Sequence, residues 1–183
     1  MATATIPFTG TFDADPVHSS FGFAVRYQGV SLFKGTMGEV AATLVGDENG
    51  AKLEGTAKVE SISIRTPEQF RAHVLSDDFF GVEQHPEVTF ASTSIDFNED
   101  GTAHVTGDLT IKGTTQPVVA AGTWTAPAAD AFGATRGHLN LEAVVDRTAF
   151  GLSWNMDLPT GGKVLANDVT LTIEASLVER ADA

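Results

Sequence analysis

Five histidines, His18, His73, His85, His104 and His138, are the residues of this 183-residue chain best suited to hold a metal or move a proton near neutral pH. Their spacing supports neither role. No two stand at i, i+2 or i, i+4, and no HExxH or His-x-Glu pattern occurs, so no pair shares the face of one strand or helix. The expected arrangement is two or three exposed histidines, with His18 and His73 hydrogen-bonded near the end of a barrel. The carboxylate pair Asp77-Asp78 reads as helix punctuation rather than a glycosidase pair. There is no G-x-S-x-G elbow, no G-x-G-x-x-G run and no Walker pattern. Absence of cysteine removes disulfides, thiol catalysis and cysteine-ligated zinc. No catalytic residue, metal or cofactor is therefore expected. What stands out is greasy: 12 Phe and 2 Trp against 1 Tyr.

The elements that position these residues are mostly strands. Phe21, Phe23 and Val25 alternate with small or polar residues, as a half-buried strand does. Phe33, Gly35 and Met37 resume the alternation, which slips near Gly38-Glu39 and continues through Val40, Ala42 and Leu44. A one-residue slip of this kind reads as a β-bulge. Turns are expected at Asp15–Ser19, Asp47–Gly50, Asn98–Gly101 and Lys112–Thr115, and a small-residue loop at Pro127–Ala134. The last strand is the clearest, with Leu165, Val169, Leu171, Ile173, Ala175 and Leu177 on one face.

One stretch breaks the pattern. From Thr66 to Phe90 a capping box (Thr66, Pro67, Gln69) precedes Phe70, Val74 and Leu75 on one helical face. Phe79-Phe80 follows at once, and a strand restarts at Val88. This stretch predicts a short helix acting as lid or plug over the end of the β-structure. Eight or nine strands joined by tight hairpins point to an antiparallel sheet closed into a barrel, which removes exposed edges. An eight-stranded barrel is either packed solid or holds one small ligand. Gly35, Gly55, Ala57, Gly107, Ala120, Gly122 and Ala143 fall on the apolar alternation, and that favours an internal cavity.

The length fits one domain over residues 1–183, and 42% apolar composition suffices for its core. The net charge of −13 repels a phosphate backbone, and no Lys/Arg cluster offsets it, so nucleic acid is excluded as a partner. The acidity gives a soluble surface or a docking face for a basic partner. No stretch approaches a membrane span, and MATATIPFTG has neither a basic n-region nor a long apolar run. The expectation is a cytoplasmic chain without stable membrane insertion.

Four stretches then resemble a known family. They are Asp15-Pro16-Val17-His18-Ser19-Ser20 with Phe23-Ala24-Val25-Arg26; His73, Ser76, Asp78-Phe79-Phe80 and His85-Pro86 with Thr89-Phe90; Gly107 to Thr115 with Pro117-Val118; and Asp146-Arg147, Phe150-Gly151-Leu152, Trp154-Asn155 and Gly161-Gly162. In this order they are similar to the YceI-like family of lipid- or polyisoprenoid-binding proteins, across nearly the whole chain. The resemblance implies an all-β fold: an eight-stranded antiparallel lipocalin-like barrel with one short α-helix near the barrel end. It also implies a long isoprenoid or similar amphiphile in an elongated apolar tunnel, and a homodimer. Departures from the family pattern fall at Phe70-Arg71, Tyr27, Ala149 and Leu165-Ala166-Asn167, mostly polar sites that bear on the headgroup.

The apolar lining is expected from Phe21, Phe23, Val25, Phe33, Met37, Leu75, Phe79, Phe80, Phe90, Leu109, Leu141, Phe150 and Trp154. A polar mouth is expected from His18, Tyr27, Arg71, His73 and Arg147, each of which could instead cap or pair to hold the helix on the barrel. The function so read is carriage or storage of a polyprenyl chain or isoprenoid quinone. The alternatives are a fatty acid or fatty amide binder, an enzyme on a hydrophobic small molecule with His18 and Arg147 converging on the pocket, and a solid module acting through its acidic surface.

Overall fold

The computed structural model describes residues 6–181. Among these residues, ten strands form one antiparallel sheet: β1 (Gly10–Ala14), β2 (Ser20–Tyr27), β3 (Ser31–Met37), β4 (Val40–Asp47), β5 (Gly50–Lys58), β6 (Glu87–Phe97), β7 (Thr102–Ile111), β8 (Thr114–Ala129), β9 (Thr135–Asp146) and β10 (Leu165–Glu179). The order β1-β4-β5-β6-β7-β8-β9-β10 closes through β10 back onto β1, a ring of eight. β2 and β3 extend that ring lengthwise. β10 is long enough to pair with β2 over Leu165–Glu174 and with β1 over Leu177–Glu179. β1 and β2 are thus one barrel stave broken at residues 15–19, and β3 and β4 another.

The second break lies at Gly38-Glu39, where the alternation slips. It is a gap between two strands rather than a bulge inside one. Its cause is a third segment: the Ser61 carbonyl accepts from the Gly38 N–H (3.3 Å) and the Ser61 hydroxyl from the Glu39 N–H (3.0 Å). β5 ends at Lys58, the chain makes a 3-10 turn at Val59–Ser61, and the Ser63 N–H bonds the Thr36 carbonyl at 2.7 Å. β3 therefore loses β5 as a neighbour, and the barrel splays open at this end. The gap is filled by α1 (Glu68–Leu75) and the loop after it.

The helix starts later than its sequence suggests. Pro67, at φ −63° and ψ 151°, occupies the N-cap position, so Thr66 lies outside the helix and no capping box forms. An N-cap residue must be extended, and Pro67 already is. The loop reading for Pro127–Ala134 is likewise too long. β8 runs to Ala129, with a register shift between Thr125 and Ala128 that accommodates Pro127, which has no N–H to give the ladder. The remaining turn is pinned by Asp130, whose carboxylate accepts from the Phe132 and Ala134 N–H groups at 2.8 and 3.0 Å. At the β7–β8 hairpin, Lys112 and Gly113 both take positive φ (50° and 73°), as a two-residue primed turn requires.

The two ends of the barrel differ in filling. At the β1–β4 end, Phe8, Phe12, Leu44, Leu139 and Leu177 pack without solvent contact. Phe8 meets Phe12 edge-on, with ring centroids 5.2 Å apart. At the splayed end, Met37, Val59 and Phe150 are buried, yet the interior is not full.

The small residues inside the strands fall into two groups. A Cβ on Gly35 would sit 2.5 Å from the Phe23 ring, and one on Gly107 2.5 Å from both the Phe90 ring and the Ala91 carbonyl. A Cβ on Gly122 would lie 1.9 Å from the Asn140 carbonyl. These three glycines make room for rings or backbone and mark tight packing, contrary to the cavity reading. Gly55, Ala57, Ala120 and Ala143 do face open space.

Candidate functional site

The open space is a cavity of about 650 Å³ at the splayed end, adjoined by a smaller one of about 110 Å³ deeper in the barrel. β2 and β3 supply Phe21, Phe23, Val25, Phe33 and Met37, because the period of two directs this set inward. The helix and its following loop supply Phe70, His73, Val74, Phe79 and Phe80. Phe150, Leu152, Trp154 and Met156 come from the irregular segment after β9. Phe21, Val88 and Leu171 line both cavities, so their side chains form the boundary between them. Tyr27, Leu32, Phe70 and Met156 are exposed at one side of the larger cavity and form its rim.

The residues expected as lining therefore divide. Phe21, Phe23, Val25, Phe33, Met37, Phe79, Phe80, Phe150 and Trp154 border the large cavity, and Phe90, Leu109 and Leu141 border the small one together with Phe21. Leu75 borders neither. It packs beside Ile62, Ile64 and Val74 behind the cavity wall, because it follows Val74 by one residue and points about 100° away around the helix.

The expected polar mouth is not one group. Tyr27, His73 and Arg147 line the large cavity. His18 does not: its Nδ1 is 2.7 Å from Asp15, which also accepts from Arg136 at the start of β9 (2.9 Å). Arg147 follows the far end of that twelve-residue strand. His18 and Arg147 do not converge, so the enzyme reading that paired them has no geometric basis. Arg71 is a tether. Its guanidinium donates to the carbonyls of Glu60 (2.7 Å), Ile62 (3.2 Å) and Ile64 (2.9 Å), lashing α1 to the segment that replaced β5. Lys112 fastens the other side of the lid by donating to the Asp77 carbonyl.

His73 faces the cavity edge-on to Phe79 and Trp154, at centroid distances of 5.1 and 4.7 Å, while its Nε2 lies 3.0 Å from Asp78. Arg147 is only 6% exposed. Its Nε donates to Ala166 O at 2.9 Å, and Nη1 donates to the carbonyls of Leu152 and of Trp154 (2.9 Å). Burial pushes this guanidinium below its ordinary value, and the Asp146 carboxylate offsets part of the shift. Asp146 is no ion-pair partner; it accepts from the Thr148 N–H and hydroxyl, and these bonds hold its own carboxyl below the usual range.

Two lining sets escape sequence reasoning. Val145, Val169 and Leu171 lie on the strand alternations and were available from the period of two. Leu152, Met156 and Val164 sit in an irregular segment whose periodicity carries no signal.

The YceI-like domain model matches residues 12–177. The chain belongs to the YceI-like family. A UPF0312 protein of Staphylococcus epidermidis is 32% identical over 174 residues, covering 90% of this chain and 95% of that one. A Staphylococcus aureus UPF0312 protein is 30% identical over 167 residues with the same coverage. Among solved structures, Burkholderia cenocepacia BcnA superposes with a TM-score of 0.74 at 20% identity, covering 91% of this chain and 99% of BcnA. The Campylobacter jejuni YCEI protein gives 0.71 at 23% identity, covering 85% of this chain and 90% of that one. A polyisoprenoid binding domain from Saccharophagus degradans gives 0.68 at 9% identity, covering 92% and 98%. These likenesses establish the shared lipocalin-like barrel of this YceI-like protein. Among its described residues, no helix is long and apolar enough to cross a membrane.

Proposed function

We propose that this YceI-like protein binds and carries a long-chain isoprenoid lipid, a polyprenyl chain or isoprenoid quinone, with the tail inside the barrel and no chemistry performed on it. The observation that carries this reading is the cavity of about 650 Å³, whose lining is almost wholly aromatic and aliphatic and which adjoins a second apolar space. A site with many apolar walls and few polar groups suits an amphiphile better than a polar metabolite. Each buried methylene contributes about 0.8 kcal/mol, so a tail of this class binds without directional contacts. Ordering of the flexible chain offsets much of that gain and keeps exchange possible. The fold likeness to a domain described as polyisoprenoid binding supports the same ligand class.

Native mass spectrometry of gently purified protein, followed by organic extraction, tests the reading. A co-purifying isoprenoid lipid is the expected result. Repeated recovery of empty protein that also takes up no added polyprenol would overturn it.

A further inference from the structure

Among the described residues, the wall of the large cavity holds one buried charge that its surroundings do not fully satisfy. Arg147 spends Nε and Nη1 on three backbone carbonyls, while Nη2 is buried without a hydrogen-bond partner among the described residues. No carboxylate lies within ion-pair distance of it among those residues. A buried donor left unpaired is costly, and a buried charge more so, so native proteins rarely keep one without a reason. Tyr27, Gln28 and His73, which also line the cavity, have hydrogen-bond partners. The Tyr27 hydroxyl accepts from Gln28 at 2.9 Å, and His73 is engaged by Asp78.

We infer that Arg147 is the head-binding group of this cavity, and that the carried amphiphile bears an acceptor oxygen, of a phosphate or carboxylate or of a carbonyl, that takes the unpaired Nη2–H once the cavity side chains that cover it give way. This rests on the carriage reading above and adds the head's chemistry and the ligand's direction. Along β9, Leu141 and Ala143 line the small cavity and Val145 the large one, which Arg147, just past the end of the strand, also lines. A head on Arg147 therefore sends the tail past Phe21 towards Leu141. Three bonds to carbonyls fix the guanidinium before the ligand arrives, so little ordering remains to be lost on binding. An anionic head gains most, because it also neutralises the unpaired charge.

The test uses delipidated full-length protein and three probes with one polyprenyl tail: the monophosphate, the quinone and the headless hydrocarbon. Their competition against a fluorescent fatty chain is measured. Headed probes should bind about ten- to a hundredfold more tightly than the hydrocarbon, the range of a hydrogen bond to a charged group. The stronger of phosphate and quinone names the source of the oxygen. Equal affinity of all three overturns the inference while leaving carriage intact; no binding by any overturns both. In Arg147→Gln the headed-to-headless ratio should fall to about one with hydrocarbon binding retained. Should that variant fail to fold, the 15N resonances of Arg147 in the unaltered protein decide: a shift with headed probes alone supports the assignment, and no shift overturns it.

Discussion

Gly35 and Gly107 show how one absent methyl can be read two ways. Both lie on the inward alternation, and both face a phenylalanine ring rather than open space. Their surroundings differ in what can yield. Gly35 meets only the end of Phe23, while Gly107 also meets the Ala91 carbonyl on the neighbouring strand. Gly35→Ala and Gly107→Ala should each lower stability by about 1–3 kcal/mol in urea denaturation. Adding Phe23→Leu should recover much of the first loss. Adding Phe90→Leu should not recover the second, since the backbone contact remains; equal recovery in both pairs would contradict the assignment. Asp15 is a second residue-scale case. Hydrogen bonds from the His18 ring, the Val17 N–H and the Arg136 guanidinium hold its carboxyl well below the ordinary carboxylate range. A depressed folded value means that the contribution is complete above the unfolded value near 3.9 and is lost as pH falls below it. Asp15→Asn should therefore melt lower than the unaltered protein at neutral pH, and the difference should shrink steadily as the pH is taken below about 4. A difference independent of pH would show that the carboxylate's charge is not what holds the β1–β2 loop.

At the scale of elements, the helix is held by its tethers more than by itself. α1 has eight residues, too few to be stable alone, and only Val74 is buried. Arg71 binds three carbonyls of the segment that displaced β5, so its removal should loosen that segment rather than the barrel. Arg71→Ala is expected to cost about 1–3 kcal/mol. It should speed hydrogen exchange at the Ser63 N–H, which bonds Thr36, with little change at the β9–β10 amides. Uniform acceleration across all strands would mean that the lid and the barrel open as one unit. The existence and place of this helix are legible because Phe70, Val74 and Leu75 repeat at helical spacing among strands of period two. Its N-terminus is not. Thr66 and Gln69 match a capping box, but the extended geometry belongs to Pro67.

Across the whole molecule, the division between a packed end and a hollow end sets what the barrel can hold. Phe21 stands at the boundary of the two cavities, so Phe21→Ala should merge them. Its stability cost is expected to be about 2–3 kcal/mol, below that of a fully packed phenylalanine because the ring already faces open space. The competition ratio between a long and a short polyprenyl tail should move towards the long one. An unchanged ratio would mean that the tail does not pass Phe21. The hollow end exists because β3 loses β5 as a neighbour, and that follows from Ser61 and Ser63 bonding the β3–β4 junction, contacts between residues more than twenty positions apart.

Periodicity alone points to most of the antiparallel strands, to their tight hairpins and to the helix after Pro67, since alternation and turn chemistry act over a few residues. Arg147, Phe79 and Phe80, which carry part of the resemblance, border the cavity. Tertiary structure alone decides which small residues leave space and which admit a ring, because that depends on the facing strand. It also separates His18 from Arg147 by the length of β9, and places Leu75 behind the wall rather than in it. Above all, it leaves one guanidinium nitrogen of Arg147 buried and unpartnered among the described residues, a property of three carbonyls in irregular backbone that no local pattern encodes.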